Sequence, residues 1–276
     1  MTAERFLQAE NVLFTAAVAG YLAATALYFV FFAIKKEGPG RWAGHVFMAA
    51  FGLHTLAMLL RGIGAGRLPL TNQYEFATSF AWGISLCYLV FMAKYRFRAL
   101  GAFVAPVIFL IIGYAAMQSR EVRELMPALK SNWLAIHVST AIISYGAFGV
   151  AFGVSMVYLV RGRMREDEFH RREMPDLEKL DMISYRAVSL GFLFLTLVIV
   201  TGAIWAERAW GRYWSWDPKE TWSLITWIIY ALYLHVRLSR GWQGKKAAWF
   251  AVVGFICVVF TYIGVNTLIP GIHSYA

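Results

Sequence analysis

Eight stretches of about 20 mostly apolar residues divide this chain, at roughly 11–34, 43–60, 76–93, 99–117, 133–160, 185–206, 219–238 and 247–269. A helix of about 20 apolar residues is what it takes to cross the hydrocarbon of a bilayer. The pattern therefore predicts an all-α, polytopic membrane helix bundle with about eight transmembrane helices, and residues 1–276 as one integral membrane domain. No long soluble segment is left between the stretches. Composition agrees: 59% of the 276 residues are hydrophobic and only 15% charged, with a mean hydropathy of +0.55. A soluble domain of this size has no interior large enough to hide so much apolar surface. The first stretch is too long for a signal-peptide core, and Glu4 and Glu10 precede it instead of a basic run. It reads as a retained helix.

A formal net charge of +10 would raise the question of nucleic acid in a soluble protein. Here the basic residues sort by loop. With the N-terminus outside, the inner loops carry 16 of the 26 Lys and Arg residues and the outer segments nine, with Arg186 at a helix start. That bias places both termini on the outer side, together with the loop at 205–222. The inner loop 161–184 mixes six bases with seven acids and reads as a solvated connection. Membrane lipid is the expected surrounding, and nucleic acid is not an expected partner. Cys87 and Cys257 lie in separate apolar stretches, and the chain has no C-x-x-C. It is thus neither a thiol–disulfide carrier nor a covalent c-type haem protein.

The outer loop is the densest chemical feature. Trp205, Trp210, Trp214, Trp216, Trp222 and Trp227 fall within 23 residues, six of the eleven tryptophans. Anchoring two helix ends in an interface does not require that number. Indole rings beside Arg208, Arg212 and Lys219 suit a large, flat, apolar ligand with anionic groups, which describes haem and its propionates. The loop ends in Asp217-Pro218-Lys219-Glu220, which reads as a helix start: Asp at the cap, Pro at the first position and Glu at the third. Such a cap makes the loop short and fixed.

The six histidines sort by depth. His137 lies about one turn into the fifth stretch at its outer end, and His273 lies just past the eighth, also outside. A lone histidine at an interface is commonly a polar anchor, but two at the level of this loop suit the axial positions of haem iron. His235 lies about 27 Å along the seventh helix from Asp217, near the inner face, where an ionisable residue within a span is a functional candidate. His45 and His54 in the second stretch are either partners for His235 or packing residues. His170 falls in the charged inner loop and reads as solvated. The segment Pro69–Glu75 reads as a loop leading into the third helix, with a supporting role beneath the loop left open.

These residues together carry a resemblance. The tryptophan loop, Trp227-x-x-Tyr230-x-x-Tyr233-Leu-His235, Trp133-Leu-Ala-Ile-His137 and Gly271-Ile-His273-Ser-Tyr strongly resemble the system II cytochrome c synthase, in its haem-handling subunit of the CcsA/ResC type. The match covers roughly 133–276, making that part the haem-handling core and 1–132 an N-terminal four-helix part; Pro69–Glu75 extends it weakly. The resemblance implies that His137 and His273 are external axial ligands to haem b iron. It further implies that Trp205, Trp210, Trp214, Trp216, Asp217 and Trp222 form the porphyrin platform, and that His235 belongs to an internal transmembrane haem site. The partners it implies are a CcsB/ResB-type membrane subunit, which supplies the second internal ligand, and apocytochrome c with its C-x-x-C-H motif. The membrane is then a bacterial plasma membrane or a thylakoid. It implies no side chain as general acid or base.

Three other readings are distinguishable. A haem exporter would hand its cargo to a separate chaperone. A b-type cytochrome needs facing histidines within the membrane, for which His45 or His54 with His235 are the candidates. A secondary transporter leaves the tryptophan loop without a role.

Overall fold

The computed structural model describes residues 2–164, 168–269 and 271, with His170 and Arg171 described by backbone alone. Among these, all regular structure is helical: α1 (Ala3–Ile34), α2 (Glu37–Ala65), α3 (Gln73–Tyr95), α4 (Gly101–Ala116), α5 (Asn132–Arg161), α6 (Glu168–Glu173), α7 (Leu177–Trp210), α8 (Pro218–Arg240), α9 (Lys245–Val259) and α10 (Val265–Leu268). A π-helical turn, Phe260–Gly264, joins α9 to α10. Each apolar stretch of the sequence lies on a helix. Among the described residues, seven helical segments are long and apolar enough to cross a membrane, α9 to α10 counting as one. The remaining stretch, the seventh in chain order, is α8: it has 23 residues but carries Lys219, Glu220, Arg237 and Arg240 at its ends and a polar stripe between them.

Two compact units divide the chain, one comprising residues 1–123 and 165–175, the other 124–164 and 176–276. In the first, α1 and α2 form a hairpin whose turn is closed by Lys35 in the left-handed region, its N–H donating to Phe31 O. The pair approaches closely because small residues face each other: a Cβ on Gly20 would lie 2.8 Å from that of Ala50. Buried polar groups gather in layers. Near the start of α3, Arg61 and Arg67 both reach the buried Glu75, at 3.1 and 2.8 Å. Tyr74 donates to the buried Glu10, and Thr71 donates to Glu75 from both its N–H and its hydroxyl. Deeper, Tyr21 bridges His54 and Ser85, and Tyr28 pairs with Tyr88 at 2.6 Å.

In the second unit, α5 and α7 run together over most of their length. Small residues on α5, among them Gly146, Ala147, Gly149, Ala151 and Gly153, are buried against neighbouring helices. Glycines also receive rings here. Phe148 of α5 sits where a Cβ on Gly191 of α7 would lie 2.6 Å from its ring. Its other face stacks on Tyr230 of α8, at 3.7 Å between centroids and 3° between planes. Tyr230 in turn fills the space at Gly254 of α9, where a Cβ would lie 2.5 Å from its ring. The four helices are thus locked through one layer of aromatic rings. At the other end of α8, Arg237 pairs with Asp181, whose carboxylate also accepts from the N–H of Gly244 at 2.8 Å.

Candidate functional site

The candidate site is built at one end of the second unit, where α5 begins, α7 ends and α8 begins. Ser131 caps α5, its hydroxyl accepting from the Trp133 N–H at 3.2 Å. His137 follows one and a half turns in, half-buried against α7. Its Nδ1 lies 2.9 Å from the carbonyl oxygen of Val198. A carbonyl only accepts, so Nδ1 carries the proton and the lone pair of the neutral ring sits on Nε2. That is the tautomer an imidazole needs to bind iron through Nε2. The ring lies nearly parallel to the indole of Trp205, with centroids 6.1 Å apart and an 18° interplanar angle.

Trp205 is 2% exposed. Its Nε1–H donates to Ala128 O at 3.0 Å, and Trp210 meets it edge-on at 4.8 Å. Trp205 therefore backs His137 from inside the protein, while Trp210 links it to the end of the helix. Arg208 lies over the ring of Trp133 at 5.6 Å. Gly211 ends α7 in the left-handed region (φ +74°), donating its N–H to Glu207 O at 2.7 Å, a common helix termination for glycine.

The loop that follows is held by one carboxylate. Glu220 accepts from the N–H groups of Ser215 at 2.8 Å and Asp217 at 3.2 Å, and from the Ser215 hydroxyl at 3.3 Å. Asp217 completes the capping box, accepting from the Lys219 N–H at 3.0 Å, with Pro218 at the first helical position. The residue between the two pinned amides is Trp216, whose φ of +59° is rare for a bulky side chain. This turn leaves the Trp216 indole 68% exposed, perpendicular to Trp214 with centroids 5.7 Å apart. Trp222 packs on Phe260, the first residue of the π turn, at 4.3 Å. Trp227 is a core link, its Nε1–H donating to Thr196 at 2.9 Å.

His273 lies outside the described residues. Gly271, two positions before it, is described: a Cβ there would lie 2.6 Å from Asp217 Oδ2 and 3.2 Å from Pro218 Cδ. The chain thus passes directly against the capped start of α8. His235 is not part of this cluster. It is exposed on α8, on one face with Ile228 and Leu232, while Tyr230 and Tyr233 are buried on another. His45 is exposed beside Trp42 on α2, with ring centroids 6.0 Å apart. His54 is fully buried against Tyr21, the packing alternative.

Two features were not anticipated from the sequence. Gly202 looks like any small residue of a membrane helix, and nothing local marks it as the seat of the His137 ring. Glu220 is recognisable as a capping glutamate, but its hold on Ser215, and hence on Trp216, depends on the loop closing back.

The fold and the family match define a class: integral membrane proteins of cytochrome c assembly. Residues 70–273 match the family described as Cytochrome C assembly protein. The chain is 40% identical over 235 residues to "Cytochrome c biogenesis protein CcsA" of Chlamydomonas reinhardtii, covering 81% of this chain and 65% of that protein's length. It is 35% identical to the protein of that name from Gloeobacter violaceus, over 100% of this chain and 98% of the relative. The protein of that name from Synechococcus sp. (strain CC9605) is 37% identical, with 91% of each covered. The solved structure "Cytochrome c Heme Lyase CcmF" has a similar fold, with a TM-score of 0.72 at 17% identity, over 95% of this chain and 47% of that one. At that identity the likeness concerns the fold alone. The chain belongs to the cytochrome c assembly protein family, on its CcsA-type, system II branch.

Proposed function

We propose that this chain presents haem b for covalent attachment to apocytochrome c, as the haem-handling half of a synthase completed by a CcsB/ResB-type membrane subunit. His137 and His273 hold the iron at the outer side of the membrane, and both chain termini lie on that side. Trp210, Trp214, Trp216 and Trp222 bear the porphyrin, Trp205 backs His137, and Asp217 fixes the loop. His235, on the exposed face of α8, belongs to an inner haem site whose second ligand comes from the partner.

One observation carries this reading: the Nδ1–H bond of His137 to the Val198 carbonyl sets its lone pair on Nε2 beside the tryptophan loop. A histidine serving only as an interfacial anchor has no need of a fixed tautomer, whereas metal-bound histidines ordinarily donate the other ring N–H to a carbonyl or carboxylate.

The substrate's C-x-x-C-H histidine replaces one axial imidazole. Each thiol then adds across a vinyl group: sulfur bonds to one vinyl carbon, and the other carbon gains the proton. Two thioethers form with no net oxidation. The protein's part is to hold the reacting groups close and aligned, which converts an encounter into an effectively unimolecular step.

The test is maturation of a reporter apocytochrome on co-expression with the partner subunit, comparing wild type with His137→Ala, His273→Ala and His235→Ala. Loss of covalent haem in the two outer variants, restored by added imidazole, supports the proposal. Full maturation in either outer variant refutes the assignment of the axial pair.

A further inference from the structure

The seat of the His137 ring is an absent side chain. On α7, Val198, Gly202 and Trp205 stand at i, i+4 and i+7 and so share one face. His137 enters that face from α5, its Nδ1 at Val198 O and its plane along Trp205. An ideal Cβ on Gly202 would lie 2.8 Å from the ring's Cε1 and 2.9 Å from its Nδ1. Both separations are below any real carbon contact.

The ring can yield only toward its exposed side: His137 is half-buried, while Leu134, Val138 and Ala141 on α5 are buried, as are Val198, Thr201 and Trp205 on α7. Trp205 is itself tied to Ala128. Moving the imidazole away from a side chain at 202 therefore breaks its bond to Val198. The helix ladder occupies one lone pair of that carbonyl and the ring the other; the Thr201 hydroxyl lies 3.4 Å away but gives its proton to Leu197 O at 2.6 Å.

Resting on the reading that His137 is an axial ligand, the geometry points to Gly202 as its positioning residue, with the Val198 carbonyl as the acceptor that fixes tautomer and ring plane. No other residue type at 202 leaves this seat open. The acceptor does more than orient. Hydrogen bonding at Nδ1 raises the basicity of Nε2, strengthens its donation to iron and favours the ferric form. Displacing the ring therefore weakens haem retention and raises the midpoint potential.

The experiment uses the full-length chain in detergent and haemin as the probe, comparing wild type, Gly202→Ala, His137→Gly and the double variant, the last two with and without free imidazole. Haemin affinity and the ferric/ferrous midpoint are both read. Gly202→Ala is expected to weaken binding roughly 10- to 100-fold, the usual cost of losing a second-sphere partner, with an upward shift in potential. In the His137→Gly background a freely placed imidazole has no seat to lose, so Gly202→Ala is expected to change affinity less than about twofold, since coupling is confined to groups in contact. Equal losses in both backgrounds mean general damage to the α5–α7 packing and overturn the proposal. So do an unchanged affinity and potential in Gly202→Ala when His137→Gly itself loses haemin. If His137→Gly binds haemin as wild type does without imidazole, the ligand reading fails first and the positioning role falls with it.

Discussion

Removing the Glu220 carboxylate is expected to release the tryptophan loop while leaving the helices in place. In the structure this group accepts from two backbone amides that flank Trp216 and from the Ser215 hydroxyl. A hydrogen bond to a charged acceptor contributes about 1.5–3 kcal/mol when buried. Glu220 is half-buried, so about 1 kcal/mol per amide is a reasonable share, and about 2 kcal/mol for the pair. The left-handed backbone of Trp216 costs on the order of 1–3 kcal/mol, and Glu220 is the group that holds it there. Glu220→Ala should therefore raise the opening equilibrium of the loop by about 2 kcal/mol, or roughly 30-fold. Amide hydrogen exchange at Ser215 and Asp217, measured in nanodiscs, reads this directly. Glu220→Gln keeps a neutral acceptor and should recover part of the protection. Trp216→Gly in the Glu220→Ala background removes the left-handed penalty and should recover part of it by a different route. Unchanged exchange in Glu220→Ala would refute the idea that this carboxylate holds the loop, and Trp216 would need another restraint.

Three further outcomes follow from the packing. Arg61→Ala leaves the buried Glu10 and Glu75 short of a partner and is expected to cost about 3–5 kcal/mol, seen as a large fall in the detergent unfolding midpoint; a shift of a degree or less contradicts it. Gly254→Ala drives a Cβ into the Tyr230 ring and is expected to cost about 1–3 kcal/mol by overpacking, checked by thermal unfolding, with Gly52→Ala, which meets open space, as the neutral control. His54→Phe removes one hydrogen bond to Tyr21, worth about 1 kcal/mol, and is expected to leave reporter maturation and haem content at wild-type levels; loss of haem from a stably folded variant contradicts the packing role.

The membrane helices were legible because lipid imposes a length and a composition that survive in the bare sequence. Their ends were less so. The first stretch reads from residue 11, but α1 begins at Ala3 and α7 runs 34 residues to Trp210, since a helix continues past the hydrocarbon until something stops it. At α7 that stop is Gly211 in the left-handed region. Glu10 consequently lies inside a helix, buried beside Tyr74 and Arg61, although as a sequence position it read as a polar flank. Pairing across 64 residues is tertiary information that no local pattern carries. The capped start of α8 was legible because Asp217, Pro218 and Glu220 act on their immediate neighbours. The tryptophans were legible as a group but not one by one: Trp205 is enclosed behind His137, while Trp216 stands exposed, and both are indoles in the same run of sequence. Gly202 was silent because its contribution is the volume it leaves empty.

The most direct measurement of the central claim is the electron paramagnetic resonance spectrum of the ferric haem complex, taken for wild type and for His137→Gly with and without imidazole. The account predicts a low-spin, bis-imidazole signal in wild type, its loss in the variant and its return when imidazole is added. A low-spin signal that persists unchanged in His137→Gly would show that His137 does not ligate the iron, and the function proposed for this end of the second unit would be wrong.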